Sequence, residues 1–192
     1  LAQPGEIVLR SFGAITLSDA IETYGGSLII EAGGGTLTID AMIEGGTVSL
    51  AARDGIVAGE NGLVQATVLD LYTSAAALDE DDPATAGDVG SDEAPLVIDL
   101  VGAGAVLSGE AAGSLFLREA NGDLVVSRLS AAGSAVLATT KGSILGTDIG
   151  AGAFQPGLGQ GERELVEGDR ARLLQVNQDA KRQRLAHRSA TS

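Results

Sequence analysis

The sequence predicts a parallel β-helix, a solenoid in which each coil of about 20 residues adds one layer to a shared core. Strands of a first group are predicted to start at Ser27, Thr36, Thr47 and Ile56. Strands of a second group are predicted to start at Ser114, Asp123, Ser134 and Ser143. Both groups are spaced by 9, 11 and 9 residues, so two successive spacings give a period of 20. Internal repeats of this length are typical of solenoids.

Two longer stretches follow the same plan. Residues 35–55 read GTLTIDAMIEGGTVSLAARDG, and residues 122–142 read GDLVVSRLSAAGSAVLATTKG, at an offset of 87. The string GAITLSDA from Gly13 also realigns with GTLTIDA from Gly35 after 22 residues. An antiparallel β-sandwich with hairpins every 9 to 11 residues is the alternative fold, but it has no reason to keep this realignment.

Alternation along each strand predicts which side chains face the core. The predicted inward residues are Leu28, Ile30, Leu37, Ile39, Val48, Leu50, Leu115, Leu117, Leu124, Val126, Ala135 and Leu137. Glu31, Thr38, Ser49 and Arg118 take the outward phase. Pairs and triplets of small residues, such as Gly33-Gly34-Gly35, separate the strands and suit the tight corners of a solenoid.

Composition divides the chain into two predicted regions. Residues 1–157 form the β-helix domain, and residues 75–95 within it, which are rich in Asp and Glu, form an acidic loop insertion. Residues 158–192 form a charged tail without strand-like alternation, which we expect to be partly helical or disordered. The chain lacks an initiator methionine and a signal pattern, so we expect it to be part of a longer protein.

The net charge of the chain disfavours two classes of binding partner. The chain carries 26 acidic and 12 basic residues, a formal charge of −14, which repels phosphate backbones and anionic lipid headgroups. We therefore expect neither nucleic-acid binding nor membrane insertion, and no apolar run of 18 residues occurs. The absence of cysteine excludes disulfides and thiolate metal sites.

Between residues 87 and 145 the chain carries a series of corner motifs. They are Gly87-Asp88-Val89-Gly90, Pro95-Leu96, Gly122-Asp123-Leu124 and Gly142-Ser143-Ile144. In their order and residue types these motifs resemble the repeat region of filamentous haemagglutinin-like giant surface proteins of Gram-negative bacteria. The resemblance covers about 60 residues well, residues 13–57 more loosely, and does not reach the tail.

This resemblance implies a right-handed parallel β-helix that is exported to the bacterial cell surface. It implies a structural shaft segment of an adhesin or of a contact-dependent toxin carrier. The expected partners are flanking repeats of the parent chain or neighbouring copies, and host or bacterial cell-surface ligands. The family's N-terminal secretion domain and an Arg-Gly-Asp tripeptide are both missing from this sequence. A self-assembling filament or matrix subunit is a further alternative.

Residues with catalytic chemistry are few, so we expect the chain not to be an enzyme. The only histidine, His187, lies in the polar tail. Asp19 and Asp40 are 21 residues apart at predicted strand ends, where aspartate commonly stabilises a turn. Because paired carboxylates can also hydrolyse glycosides, a β-helical carbohydrate-active domain, similar to polysaccharide lyases and hydrolases, is the alternative function.

The acidic insertion is the one candidate metal-binding site that the sequence offers. Carboxylates in a flexible loop are ligands that calcium accepts, and Asp79, Asp81, Asp82, Asp88 and Asp92 would supply them. Neither an EF-hand spacing nor a calcium-binding nonapeptide repeat is present, so a solvated loop is the preferred interpretation. No cofactor site and no nucleotide loop is predicted, because Gly-x-Gly occurs without the rest of either motif.

Overall fold

The computed structural model describes residues 4–74 and 87–146 and the backbone of 154–155. All regular structure in these residues is β-strand. The strands are β1 Glu6–Ser11, β2 Ile15–Leu17, β3 Ile21–Glu22, β4 Ser27–Ala32, β5 Thr36–Ile39, β6 Met42–Ala52, β7 Gly55–Ala58, β8 Leu63–Thr73, β9 Asp88–Val89, β10 Leu96–Leu100, β11 Val106–Ala111, β12 Leu115–Glu119, β13 Leu124–Ala131, β14 Ala135–Thr139, β15 Ile144–Gly146 and β16 Phe154–Gln155.

Every strand pairing in the described residues is parallel, and partners come from successive coils rather than from neighbouring hairpin arms. Antiparallel pairing would be required in a sandwich built from hairpins. The prediction of a parallel β-helix is therefore confirmed, and the alternative of an antiparallel sandwich is wrong.

The strands stack into three parallel ladders. Ladder A contains β1, β4, the second halves of β6 and β8, β11, β13 and β16. Ladder B contains β2, β5, β7, β9, β12 and β14. Ladder C contains β3, the first halves of β6 and β8, β10 and the end of β12. Strand β15 pairs with the start of β13. Because β6 and β8 each run from ladder C into ladder A, one continuous strand turns a corner of the solenoid.

The period follows from the register of ladder A. Glu6 pairs with Ser27, Ser27 with Thr47, and Thr47 with Val68, at separations of 21, 20 and 21 residues. Val68 next pairs with Val106, a separation of 38, because this coil contains the acidic insertion. The period then returns to 20 between Ser108 and Arg128. The described residues thus make about six coils of about 21 residues.

Columns of stacked aliphatic side chains fill the interior. In ladder A, Leu9, Ile30, Leu50 and Leu71 occupy the same position in successive coils. Ile30 and Leu50 have no solvent-accessible surface, and Leu71 has almost none. The predicted inward phase is confirmed, since the inward residues of both groups pack in one apolar core. In a parallel β-helix the core residues of one coil are covered above and below by those of the adjacent coils. The stability of each coil therefore depends on its neighbours.

Two corner glycines show how closely the coils approach. A Cβ atom on Gly34 would overlap the carbonyl oxygen of Phe12 in the coil below. A Cβ atom on Gly46 would overlap the carbonyl oxygen of Gly25 in the same way. Any side chain at these positions would separate the backbones of successive coils, so the corners need glycine for space rather than for an unusual φ.

The two stretches that are similar at an offset of 87 do not occupy equivalent positions. Thr36–Ile39 lies in ladder B, whose last strand in the described residues is Ala135–Thr139, whereas Leu124–Ala131 lies in ladder A. The offset therefore aligns strands of different ladders. All three ladders face one aliphatic interior, so the same alternation recurs on each of them and cannot identify the ladder.

The predicted acidic insertion is partly described. Residues 75–86 and the tail 158–192 lie outside the described residues. Within the described part, Asp88–Val89 forms β9 and pairs with both β7 and β12 in ladder B. Ser91 to Ala94 then forms a turn closed by a backbone hydrogen bond of 3.0 Å, before β10 begins. In the described ranges, no helix has the length and apolarity needed to cross a membrane.

Candidate functional site: corner carboxylates

Polar side chains at the corners bind the backbone of the next coil. Oδ1 of Asp40 accepts a hydrogen bond from the amide nitrogen of Asn61 at 3.3 Å, 21 residues away. Oδ1 of Asp123 accepts one from Ser143 at 2.7 Å, 20 residues away. Oγ of Ser114 accepts one from Ser134 at 3.2 Å. We call such contacts, in which a corner side chain accepts from an amide of the adjacent coil, corner clamps.

Asp88 makes another corner clamp, at the point where the insertion rejoins the solenoid. Its Oδ1 accepts from the amide nitrogen of Ser114 at 2.5 Å. Thr73 secures the same corner, because its hydroxyl donates to the carbonyl of Gly87 and accepts from the amide of Ala112. Asp88 and Asp123 are the aspartates of the two Gly-Asp corner motifs, so both motif aspartates bind neighbouring coils.

Glu119 and Asp99 form a pair of buried carboxylates near the corner that follows ladder B. Glu119 is fully buried, and Asp99 is only 8% exposed. Both oxygens of Glu119 accept from the amide of Leu100, at 3.3 and 3.2 Å, and Oε1 also accepts from Asn121 at 3.2 Å. Oδ2 of Asp99 accepts from Nε2 of Gln65 at 2.9 Å. Glu119 therefore clamps the coil of β10 to the coil of β12.

Burial changes the acidity of Glu119. Loss of hydration disfavours its charged form and raises its pKa from 4.5 to about 6. The amides of Asn121 and Leu100 stabilise the carboxylate and lower the pKa in part, while the nearby negative charge of Asp99 raises it. A carboxyl group with a pKa near 6 beside a second carboxylate has the electronic properties of a general acid in glycoside hydrolysis.

The accessibility of the pair decides what it can do. A general acid must come within hydrogen-bonding distance of the bond that it protonates. Glu119 has no exposed surface through which a substrate could reach its carboxyl group, and its oxygens are already bound to Leu100 and Asn121. The arrangement is suited to joining two coils.

The predicted calcium ligands are not all in the described residues. Asp79, Asp81 and Asp82 lie outside them. Asp92 is exposed on the turn after β9, and Asp88 is half-buried in its corner clamp. Within residues 4–74 and 87–146, no three acidic, histidine or cysteine side chains converge as metal ligands would. The calcium site stays a prediction.

The other candidate catalytic residues from the sequence are not brought together into one site in the described residues. Asp19 is exposed, whereas Asp40 is half-buried and makes a corner clamp to the next coil. The aspartate binds a neighbouring coil there, and not its own turn as predicted. His187 lies outside the described residues. Sequence reasoning missed Glu119, although it follows Leu115 and Leu117 in the inward phase, and a charged residue at an inward position signals a special contact.

Comparisons of the chain with protein-family models, with curated proteins and with solved structures found no match.

Proposed function

We propose that the chain is a structural, non-catalytic shaft segment of an exported bacterial surface protein, of the kind found in filamentous haemagglutinin-like adhesins. Three parallel ladders extend along the solenoid, and an aliphatic interior runs through the coils that the structure describes. Such a rod gains length by about 4.8 Å for each coil, because that is the spacing between paired strands. A short repeat can in this way hold a binding surface at a distance from the cell.

The corner clamps carry the proposal. Asp40, Asp88, Glu119 and Asp123 have the side-chain chemistry that an active site could use, and each instead accepts an amide of an adjacent coil. Hydrogen bonds to a charged acceptor are stronger than neutral ones. Placing them between coils stabilises the rod at its corners, where the ladders are interrupted.

The outer surface supports the same role. The acidic excess keeps a long fibre soluble, because like charges on neighbouring rods repel each other. Ladder A presents mixed polar residues, including an ion pair of 2.9 Å between Arg10 and Glu31 of successive coils. The ligand of the parent protein, on host or bacterial cells, would be bound by other surfaces than these clamps.

Export to the cell surface is tested with antibodies. Antibodies raised against residues 87–146 are applied to intact and to lysed cells of the organism that produces the chain. Labelling of intact cells, removed by external protease, is the expected result. Labelling that requires lysis would contradict the proposal. An antibody against a cytoplasmic protein controls for leaky cells.

The carbohydrate-active alternative has one observation in its favour, the raised pKa of Glu119 beside Asp99. It is tested by incubating the chain with neutral and anionic polysaccharides, with and without calcium. Release of reducing or unsaturated ends that is lost in Glu119→Gln would establish the alternative. The shaft proposal expects no release from either protein.

A further inference from the structure

A short loop projects from the corner at which ladder C passes into ladder A. It consists of residues 101–105, and we call it the corner loop. In the preceding coil Thr67 alone joins Ala66 to Val68, and these two residues are the ladder partners of the residues that flank the loop. Five residues therefore stand where the preceding coil has one, so the loop is an excursion from an otherwise continuous corner.

Few contacts hold the corner loop to the solenoid in the described residues. The amide of Val101 donates to the carbonyl of Ala66 at 2.8 Å, and Oγ1 of Thr67 donates to the carbonyl of Val101 at 2.9 Å. A further backbone hydrogen bond, from Ala105 to Gly102 at 3.4 Å, lies within the loop itself. Most of the loop is exposed to solvent. It is therefore anchored mainly at its first residue.

This anchor adjoins a pair of buried carboxyl groups. Leu100, the residue before the loop, donates its amide to Glu119 of the next coil. Asp99 precedes Leu100 and is 8% exposed, and Glu119 has no exposed surface. The two acids lie in adjacent coils, because Ile98 pairs with Glu119. The start of the corner loop is thus held by Ala66 of the preceding coil and, through Leu100, by Glu119 of the following one.

The nearest side chains on the preceding coils do not neutralise the pair. Within the described residues, neither Asp99 nor Glu119 forms an ion pair. From β8, the uncharged amide of Gln65 donates to Asp99 at 2.9 Å. From β6, Glu44 is the ladder partner of Gln65 and adds a further acid to the same outward column. The surroundings on this side are therefore neutral or negative.

The basic residues on the following coils lie on the surface. Arg118 is exposed on the outer face of β12, opposite Val97. From β14, the uncharged Thr139 is the ladder partner of Glu119. Lys141 and Asp123, in the corners beyond, are exposed. The two buried carboxyl groups are thus left beside each other without a buried cation in the described part of the chain.

We propose that Asp99 and Glu119 form a pH-dependent latch, which holds the corner loop closed while they share one negative charge and releases it when both are ionised. Two like charges disfavour each other strongly where water is excluded. Opening of the loop admits water to both carboxylates and relieves the repulsion and the loss of hydration. A protonated Glu119 leaves one charge, and its carbonyl oxygen still accepts from the amide of Leu100.

The acidity of Glu119 sets the pH range in which the latch operates. Burial raises its pKa from 4.5 to about 6, against the lowering by the amides of Asn121 and Leu100, and the charge of Asp99 adds to the rise. In the open loop the carboxyl group is hydrated, and its pKa returns towards 4.5. Preference for the closed loop is therefore fully present below about pH 4.5 and is lost as the pH rises through about 6.

The latch acts locally and operates whether or not the chain is a shaft segment. A loop with few contacts can open while the ladders and the apolar core stay intact, because parts of a folded protein open at a lower free energy than the whole. One corner of the solenoid would then be more accessible at neutral pH than in an acidic environment.

Hydrogen exchange of the 192-residue chain, followed by NMR, tests the latch. The protection factors of the Leu100 and Val101 amides are compared at pH 5 and pH 7.5, both above the isoelectric point of about 4.2. They should fall by about eightfold over this range, because the pKa of Glu119 differs between the closed and open loop. Protection that is constant with pH would overturn the proposal.

Urea separates the latch from unfolding of the whole chain. A local opening exposes little surface, so the exchange of Leu100 and Val101 should be nearly independent of low urea concentrations. The amides of β4, in the middle of ladder A, should be more protected and should exchange faster as urea is added. Equal protection and equal urea dependence in the two places would show that the loop opens only with the whole fold, and would contradict the latch.

Substitutions assign the effect to the pair. Glu119→Gln keeps an acceptor oxygen but cannot ionise, so the protection of the loop should vary by less than about twofold between pH 5 and pH 7.5. Asp99→Asn removes the neighbouring charge and should make the fall smaller than in the original chain. Thr67→Val is the matched control, because it removes an anchor that does not titrate. It should lower the protection of Val101 at both pH values and preserve the fall. A full fall in Glu119→Gln or in Asp99→Asn would overturn the proposal.

Discussion

Glu119 and Leu100 join two successive coils, because both carboxylate oxygens of the buried Glu119 accept from the amide nitrogen of Leu100. A glutamate that is 19 residues away along the chain thus satisfies a backbone donor at a corner, where the ladder is interrupted. Burial of the carboxyl group at this contact raises its pKa, against the smaller lowering by the amides of Asn121 and Leu100, and makes the stability of the rod dependent on pH.

The pKa of Glu119 predicts the sign of this dependence. The pKa of Glu119 is about 6 in the folded chain, whereas its ordinary value, which applies to the unfolded chain, is 4.5. The folded state therefore binds the proton more tightly than the unfolded state does. The contribution of Glu119 to stability is therefore fully present below a pH of about 4.5 and is lost as the pH rises through about 6, by roughly 2 kcal/mol in all. The difference in unfolding free energy between the original chain and Glu119→Gln should fall by about that amount between about pH 4 and about pH 7.5. A difference that is constant over this range would contradict the raised pKa.

A corner clamp on the surface contributes less. Asp123→Ala removes the acceptor for the amide of Ser143 and should lower the free energy of unfolding by about 1 kcal/mol. Asp123→Asn retains a side-chain oxygen and should lose less. Asp92→Ala is the control, because Asp92 is exposed on the turn before β10 and should change stability by less than about 0.5 kcal/mol. Denaturant titration of the three variants ranks them. Equal losses for Asp123→Ala and Asp92→Ala would count against the clamp.

The spacing between coils is tested at adjacent glycines. Gly34→Ala would drive a Cβ atom into the carbonyl oxygen of Phe12, and the backbone must move to admit it. The expected loss is about 1 to 3 kcal/mol, as for other cases of overpacking. Gly33→Ala meets its nearest atom, the carbonyl oxygen of Ser11, at 3.4 Å, an ordinary contact. Melting temperatures of the pair give the comparison, and a Gly33→Ala protein as unstable as Gly34→Ala would show that spacing is not the cause.

The inner column should be the most sensitive part of the fold. Leu50 has no exposed surface and lies between Ile30 and Leu71 in ladder A. Leu50→Ala should cost about 2 to 5 kcal/mol through lost burial and the remaining cavity. Ser49→Ala, one residue away on the outer face, should cost less than about 0.5 kcal/mol. Chemical denaturation measures both, and similar losses would mean that the inward phase is misassigned.

Local patterns predicted much of this fold. Alternation and small residues predicted the inward phase and most strand starts to within one residue, as for β4 at Ser27 and β12 at Leu115. Those signals lie within a few neighbouring residues. The start at Thr47 was wrong, because β6 begins at Met42 and continues through the Gly45-Gly46 corner into ladder A. A glycine pair predicts an interruption, but here the strand bends without ending.

The corner clamps could not be predicted as pairs. Asp40 binds Asn61 and Asp123 binds Ser143, so each partner is known only once the register between coils is known. The sequence predicted Asp40 at a strand end and gave it a local role. The special role of Glu119 could have been predicted, because a charged residue stands at an inward position after Leu117. The burial of Asp99 could not have been predicted, because alternation assigns Asp99 to the outward face of the strand.

The most direct test of the coil as a structural module is a matched pair of deletions. Removing residues 27–46 joins Gly26 to Thr47, and Thr47 is the ladder partner of Ser27, so the shortened chain keeps every later register. Removing residues 27–36 takes away half a coil and places ladder strands over the wrong neighbours. We predict a cooperative thermal unfolding transition near that of the full chain for the first deletion, and none for the second. Loss of the transition in both would contradict a rod built from interchangeable coils.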